Sequence, residues 1–291
     1  MIKRPIKKRP RWRKIRREER YRAEAFLRDR EEFCVSASAR FLKMCKGQTR
    51  KPGHIWRLSG QGDEISALLF HYSQILFPVF DKNPQVPAPR FLKRFLFKVP
   101  IHAIQGLRED TEILEALMEG QGYYATDRID YMLMGMDSDP RPEALKAGPA
   151  NLVLRPPLPQ DGETLFALQS VYEQEEVLPK NAAFYAPACR LNLQHILSSE
   201  CVLVAELDGQ VVAKINTSAE SFTRYQIGGV YVRPDCRGRG ICTRMTAVFA
   251  AGLLAGGRGI TLFVKKRNTA AIKAYHKAGL TSLADYRITY Y

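Results

Sequence analysis

No apolar run in this chain of 291 residues approaches the roughly 20 residues that a membrane-spanning helix needs. Nor does the basic N-terminus lead into the apolar stretch of a secretory signal, so the expected setting is cytoplasmic. Cysteine is sparse. Cys34, Cys45, Cys189, Cys201, Cys236 and Cys242 form no CxxC pair and have no histidines nearby at metal-ligand spacing. Disulfide frameworks and zinc folds are therefore set aside, no metal is expected, and all six thiols are read as structural. Acidic residues are also short, 30 against 45 lysines and arginines, which leaves a formal charge of +15. That surplus is uneven: residues 1–20 hold eleven Lys or Arg against Glu18 and Glu19, or +9, and the rest of the chain carries +6.

What is present is the apolar and charged content of a globular protein, long enough for one large domain or two ordinary ones. Residues 1–20 read as a basic tail, because Lys7-Lys8-Arg9 with Arg11, Arg13 and Lys14 repel one another. The tail is either a solvated segment or a weak contact for RNA or another anionic surface. From Glu18 to Lys46, Tyr21, Ala25, Phe26, Phe33, Ala39, Phe41, Leu42 and Cys45 recur at the spacing of one or two amphipathic helices. His54 to Leu58, Ile65 to Tyr72 and Gln74 to Phe80 read as strands, the last two as a hairpin, before the proline-rich stretch 83–90. A strand from Ile101 to Ile104, a turn at Gln105-Gly106, a helix from Glu109 to Met118 and a strand from Tyr131 to Met136 follow.

Between Asp137 and Pro157 the chain crowds Pro140, Pro142, Gly148, Pro149, Pro156 and Pro157 together, which sets a domain boundary between 21–148 and 149–291. Beyond it, Leu152 to Arg155 reads as a strand, and Gly162 to Glu173 and Asn181 to Ser198 as helices. Asp208-Gly209 separates two runs rich in Val, Ile and Ala, so Cys201 to Thr217 is expected to be a hairpin. Strand Tyr225 to Val232, helix Gly240 to Leu254, strand Ile260 to Val264, helix Thr269 to Ala278 and strand Asp285 to Tyr291 complete the order. The expected class is mixed α/β around a central sheet.

The most informative stretch is Val230-Tyr231-Val232-Arg233-Pro234-Asp235-Cys236-Arg237-Gly238-Arg239-Gly240-Ile241-Cys242, where a β-rich run meets a glycine loop that opens a helix. Gly238 and Gly240 let the backbone approach a ligand, and the first amides of the following helix have no intrahelical partners. Such a start suits a phosphate or pyrophosphate, to which Arg237 and Arg239 add charge-assisted bonds. Two glycines beside a helix are often only a tight turn. The fuller set counts for more: the strand, the loop, an apolar stripe of Ile241, Met245, Val248, Phe249 and Leu253, then Asn268, Tyr275 and Gly279.

With these residues the sequence resembles the GCN5-related N-acetyltransferase (GNAT) superfamily. The family's Gln/Arg-x-x-Gly-x-Gly/Ala appears as Arg237-x-x-Gly240-x-Cys242, where the small cysteine implies weaker packing against the pyrophosphate rather than lost binding. Its Asn-x-x-Ala-x-x-x-Tyr-x-x-x-Gly-Phe appears from Asn268 to Gly279-Leu280, changed only in the last aromatic. The resemblance covers roughly Leu152 to Tyr291 and implies a GNAT fold there, with acetyl-CoA as co-substrate. It implies that backbone groups of Val230, Tyr231 and Val232 meet the pantetheine arm and acetyl carbonyl, on a strand whose bulge Gly228-Gly229 would accommodate. Amides from Gly238 through Arg239, Gly240 and Ile241 to Cys242 would hold the pyrophosphate, Asn268 would position the pantetheine or thioester, and Tyr275 would protonate the leaving thiolate.

An amine must shed a proton to attack a thioester, and Glu173, Glu175, Glu176 and Glu220 are the carboxylates placed to accept it, with Glu176 taken as the candidate base. The order strand, Gln105-Gly106, helix, strand in residues 101–136 echoes the second half without its phosphate motif. This resembles tandem members of the superfamily with a degenerate first half. The expectation is an N-acetyltransferase acting on a primary amine of unnamed identity. The alternatives are a non-catalytic CoA-binding or RNA-associated regulatory protein, and an aminoacyl transferase using charged tRNA, against which the pyrophosphate loop argues.

Overall fold

The computed structural model describes residues 11–48, 53–59, 64–81, 90–96, 98–179 and 182–291. Its elements run through one order twice. The first pass is β1 (Trp12–Lys14), α1 (Arg20–Arg28), α2 (Val35–Cys45), β2 (His54–Ser59), β3 (Ile65–Tyr72), β4 (Ile75–Phe80), α3 (Arg90–Leu96), β5 (Ala103–Leu107), α4 (Arg108–Glu119) and β6 (Asp127–Met136). After a short α5 (Pro142–Leu145), the second is β7 (Val153–Arg155), α6 (Gly162–Tyr172), α7 (Ala186–Ser199), β8 (Val202–Leu207), β9 (Gln210–Glu220), β10 (Arg224–Val232), α8 (Ile241–Leu254), β11 (Gly259–Lys265), α9 (Thr269–Ala278) and β12 (Thr281–Tyr290). Each pass reads β-α-α-β-β-β-α-β-α-β.

The chain folds as two compact units, residues 1–130 with 285–291, and residues 131–284. In the first, the strands lie in the order β1-β2-β3-β4-β5-β12, with β4 and β5 parallel and the other pairs antiparallel. Ser73 and Gln74, both at positive φ, make the tight hairpin between β3 and β4. Trp56, Leu69, Leu76, Leu92, Ile104 and Leu114 are buried together in this unit.

In the second unit the order is β7-β8-β9-β10-β11-β6, with β10 and β11 the parallel pair. Asp208 (φ 51°) and Gly209 (φ 76°) form the expected two-residue turn between β8 and β9. On one side of this sheet Ile227, Val232, Ile260 and Leu262 pack with Ile241, Met245, Phe249 and Leu253 of α8, whose expected stripe is buried except for the half-buried Val248. A separate cluster joins Leu165 and Leu168 of α6 and Leu193 of α7 to Val204, Val211 and Tyr231.

Several expectations change. Gln105 and Gly106 are not a turn; they lie inside β5, paired with Ile288 and Arg287. The unexpected α3 shifts the register of the echo between halves: β5-α4-β6 corresponds to β11-α9-β12, so the counterpart of the glycine loop lies between β4 and α3. The residues there are Asp81-Lys82-Asn83-Pro84-Gln85-Val86-Pro87-Ala88-Pro89, with no glycine, and 82–89 lie outside the described residues. The proline-rich stretch 137–157 lies between β6 and the helix α6, and the compact units are residues 1–130 with 285–291 and residues 131–284. Of the basic tail 1–20, residues 1–10 lie outside the described residues. Trp12, Arg13 and Lys14 pair with Leu58, Arg57 and Trp56, and Arg20 opens α1. The second helix of the later half begins at Ala186 rather than Asn181, where Pro187 occupies the first turn, and β12 begins at Thr281 rather than Asp285.

Candidate active site

Strands β10 and β11 run parallel but pair only from Arg224↔Gly259 to Gln226↔Thr261, after which β11 continues alone beside β6. On its other edge β10 skips in register: Gly228 pairs with Asn216 and Tyr231 with Lys214, so three steps of β10 span two of β9. That is a bulge at Gly229-Val230, and Gly229 stands at φ 58°. A Cβ there would collide with Asn216 Oδ1 and Lys214 Nζ, so glycine is required twice over, by backbone and by space. The expected bulge and the parting of β10 are thus both present.

Beyond β10 the chain makes a single turn at Pro234–Cys236 and enters the glycine loop. Gly238 and Gly240 sit at φ 76° and 81°, in the left-handed region. A Cβ on Gly238 would meet nothing within 4 Å, while one on Gly240 would press the Gly148 backbone at 2.9 Å. Gly240 therefore serves close packing, and Gly238 faces open space. Gly240 stands at the N-cap of the 14-residue α8 and, having no side chain, adds no cap of its own to the first amides of the helix. This is the geometry that receives an anion.

Arg237 does more within the protein than the motif suggests. Its Nε donates to Val232 O at 2.9 Å and its Nη2 to Glu175 Oε2 at 3.0 Å, with its guanidinium 5.2 Å from the Tyr231 ring centroid. Tyr231 itself is buried on the α6 and α7 side, so only its backbone could serve a ligand on the other face. Val230 is half-buried and packs with Val232 toward α8 and α9. Cys242 is partly buried in that same core, where loss of water pushes its thiol up to about 11. That suits packing, not nucleophilic attack.

Asn268 caps α9, accepting from Ala271 N–H at 3.1 Å and donating to Glu176 Oε1 at 3.2 Å. Glu176 also pairs with the buried Lys265 (Nζ to Oε2, 3.4 Å), whose Nζ donates to Glu175 O at 2.8 Å. These bonds hold a π-helical turn, Glu173–Val177, in place after α6. Tyr275 is 6% exposed, and burial raises its hydroxyl pKa well above the ordinary tyrosine value, helped by Cys242, Tyr172 and Glu176 nearby. It stays a proton donor throughout the neutral range.

Sequence reasoning missed two side chains that touch the bulge. Tyr172 Oη accepts from Gly229 N–H at 3.2 Å, and Lys214 Nζ donates to Gly229 O at 2.9 Å and Asn216 Oδ1 at 3.1 Å. Lys214 is 1% exposed. Its signal was a lone lysine amid Val211-Val212-Ala213 and Ile215.

A family model described as the Acetyltransferase (GNAT) family matches residues 165–280, which span α6 to the end of α9. No curated protein sequence matches. Among solved structures, a Drosophila protein superposes at TM-score 0.65 and 12% identity over 96% of this chain and 98% of its own. A GCN5-related N-acetyltransferase from Sphaerobacter thermophilus follows at 0.60 and 18% over 97% and 95%, and a tandem GNAT protein from the clavulanic acid biosynthesis pathway at 0.59 and 12% over 96% and 97%. At these identities the likeness is one of fold, and it extends over both passes of the chain. Residues 165–280, with the parted strands, the glycine loop and Tyr275, belong to the acetyltransferase (GNAT) family, and the chain is an acyltransferase.

Proposed function

We propose that the second unit moves an acetyl group from acetyl-CoA to a primary amine by direct attack on the thioester. The observation that carries this reading is the parting of β10 from β11 immediately before a glycine loop that opens α8. Amides from Gly238 to Cys242 would receive the pyrophosphate, with Arg239 adding charge, and the pantetheine would lie along Val230, Tyr231 and Val232 toward Asn268. The amine nitrogen attacks the acetyl carbon, the C–N bond forms, and the C–S bond breaks with its electron pair on sulfur. Tyr275 gives its proton to that thiolate. The proton shed by the amine goes to Glu176, from which solvent returns one to Tyr275. Glu176 is 28% exposed on its side chain and so can reach water.

Calorimetric titration with acetyl-CoA tests the donor. Saturable binding is expected, lost in Gly240→Asp, where a side chain at positive φ meets Gly148 and a carboxylate meets the phosphates. Thiol release with peptide, amino-acid, polyamine and amino-sugar amines tests the chemistry: Tyr275→Phe should lower turnover by about 10²–10⁴-fold at unchanged affinity. Equal turnover by mutant and wild type would remove the acid role, and absent wild-type binding would remove the donor.

A further inference from the structure

A lysine that is 1% exposed needs a reason, because burying an ammonium is costly and an apolar residue of similar volume would serve packing as well. Among the described residues, Lys214 is joined to no carboxylate by an ion pair at short range. Its two hydrogen bonds go to neutral oxygens, Asn216 Oδ1 and Gly229 O. The second belongs to the bulge. In the β9 register Gly229 and Val230 have no Cα partner, and pairing with β11 has already ended at Gln226. The Gly229 carbonyl and the Val230 N–H are the two ends of one peptide group, and that group lies in the stretch of β10 where the strands part.

We propose that Lys214 is a positioning residue for the acyl donor: it fixes the bulge and polarises the Gly229–Val230 peptide, so that the Val230 N–H binds the thioester oxygen more strongly as charge develops there. This rests on acetyl-CoA being the donor. A donor on the carbonyl oxygen draws electron density along the peptide and makes its N–H a better donor, the cooperativity found in hydrogen-bonded chains. Tyr172 does the complementary work one peptide earlier by accepting from Gly229 N–H, and its ring lies 5.1 Å from Lys214 Nζ. Asn216, 3% exposed, keeps the ammonium aimed, since its Nδ2 is anchored on Thr217 O at 2.7 Å. Burial lowers the Lys214 pKa to about 7, so its charge changes across the neutral range; the groups around it are Tyr172 on α6, Glu173 on the π-helical turn, Cys189 on α7 and Tyr231 opposite it on β10.

The test reads the thioester itself. Infrared spectra of full-length protein with acetyl-CoA carrying ¹³C at the acetyl carbonyl report how far that carbonyl is polarised on binding. In wild type the stretch should move to lower frequency than in free acetyl-CoA. In Lys214→Met the displacement should shrink, while affinity for CoA without its acetyl group is unchanged. Removing an oxyanion donor outright costs about 10²–10³ in rate, and polarisation alters one bond by about 10–30%, so thiol release should fall about two- to eightfold. Lys214→Gln, which keeps a neutral donor, should lie between. A variant-free arm follows the wild-type stretch from pH 5.5 to 8.5, where it should drift toward the free value as the ammonium is lost. An identical stretch in wild type and Lys214→Met, or no drift with pH, overturns the inference even if acetyl-CoA binds. Absence of binding in wild type overturns instead the reading of the donor.

Discussion

At the scale of single residues, Lys214 also leaves a mark on stability. Its pKa is depressed in the folded chain to about 7, whereas an unfolded lysine titrates at about 10.4. Below pH 7 both states hold the proton and the contribution has no slope. Between pH 7 and 10 the unfolded chain binds a proton that the folded chain does not, so this group makes stability rise with pH. Urea denaturation of wild type and Lys214→Met at pH 7 and pH 9.5 should show the stability of the variant relative to wild type falling at the higher pH. A relative stability that rises with pH would mean that the ammonium is stabilised in place. Gly240 and Asn268 were easy to read in the sequence because backbone conformation and a local cap set their places: Gly240 at φ 81°, Asn268 bonded three residues ahead to Ala271. Lys214, Tyr172 and Gly229 were harder because they meet only across 15 and 57 residues of sequence.

At the scale of elements, the π-helical turn Glu173–Val177 ties the site together. Glu173 accepts from Gln169 and Asn192 at 2.8 Å each, Glu175 from Arg237, and Glu176 from Asn268 and Lys265. Its extra residue per turn points successive carboxylates at different neighbours, which no helical periodicity in the sequence would reveal. One of those bonds competes with the proposed donor. Arg237 and Glu175 are about half exposed, so their pair is worth under about 1 kcal/mol. If Arg237 turns toward the pyrophosphate, Glu175 is the anion it leaves. Glu175→Gln should therefore tighten acetyl-CoA binding by about two- to fivefold in calorimetry, since it removes a competitor and a like charge. Weaker binding in that variant would mean that Glu175 holds Arg237 in its useful position. The helices and hairpins on either side were legible because α8, α9 and the Asp208-Gly209 turn carry local signals. The short α3 was not, with Arg90-Phe91-Leu92-Lys93-Arg94-Phe95-Leu96 following prolines and giving only two turns of pattern.

At the scale of the whole molecule, the repeated order of elements is clear in the structure and faint in the sequence, because the sheet pattern survives where the glycine loop does not. The last strand of the second pass lies in the first unit from Asp285 onward, and the alternation of Tyr286, Ile288 and Tyr290 with Arg287 and Thr289 carries no sign of that in the sequence. Its side chains show why it belongs there. Arg287 Nε bonds Asp130 at 2.7 Å and its Nη1 bonds Glu112 at 3.2 Å; Thr289 donates to the buried Glu115, which Arg128 also holds at 2.8 Å. Removing a partner from a fully buried ion pair costs about 3–5 kcal/mol. Asp130 and Glu112 are partly exposed and can rehydrate, so Arg287→Met should cost about 2–3 kcal/mol. Both tryptophans, Trp12 and Trp56, lie in the first unit, so selectively excited tryptophan emission reports on that unit. The Arg287→Met substitution, near the end of the chain, should lower the urea midpoint of Trp12 and Trp56 emission, while Tyr275→Phe in the second unit leaves it in place. An unmoved midpoint in Arg287→Met would show that β12 contributes nothing to the unit whose sheet it completes.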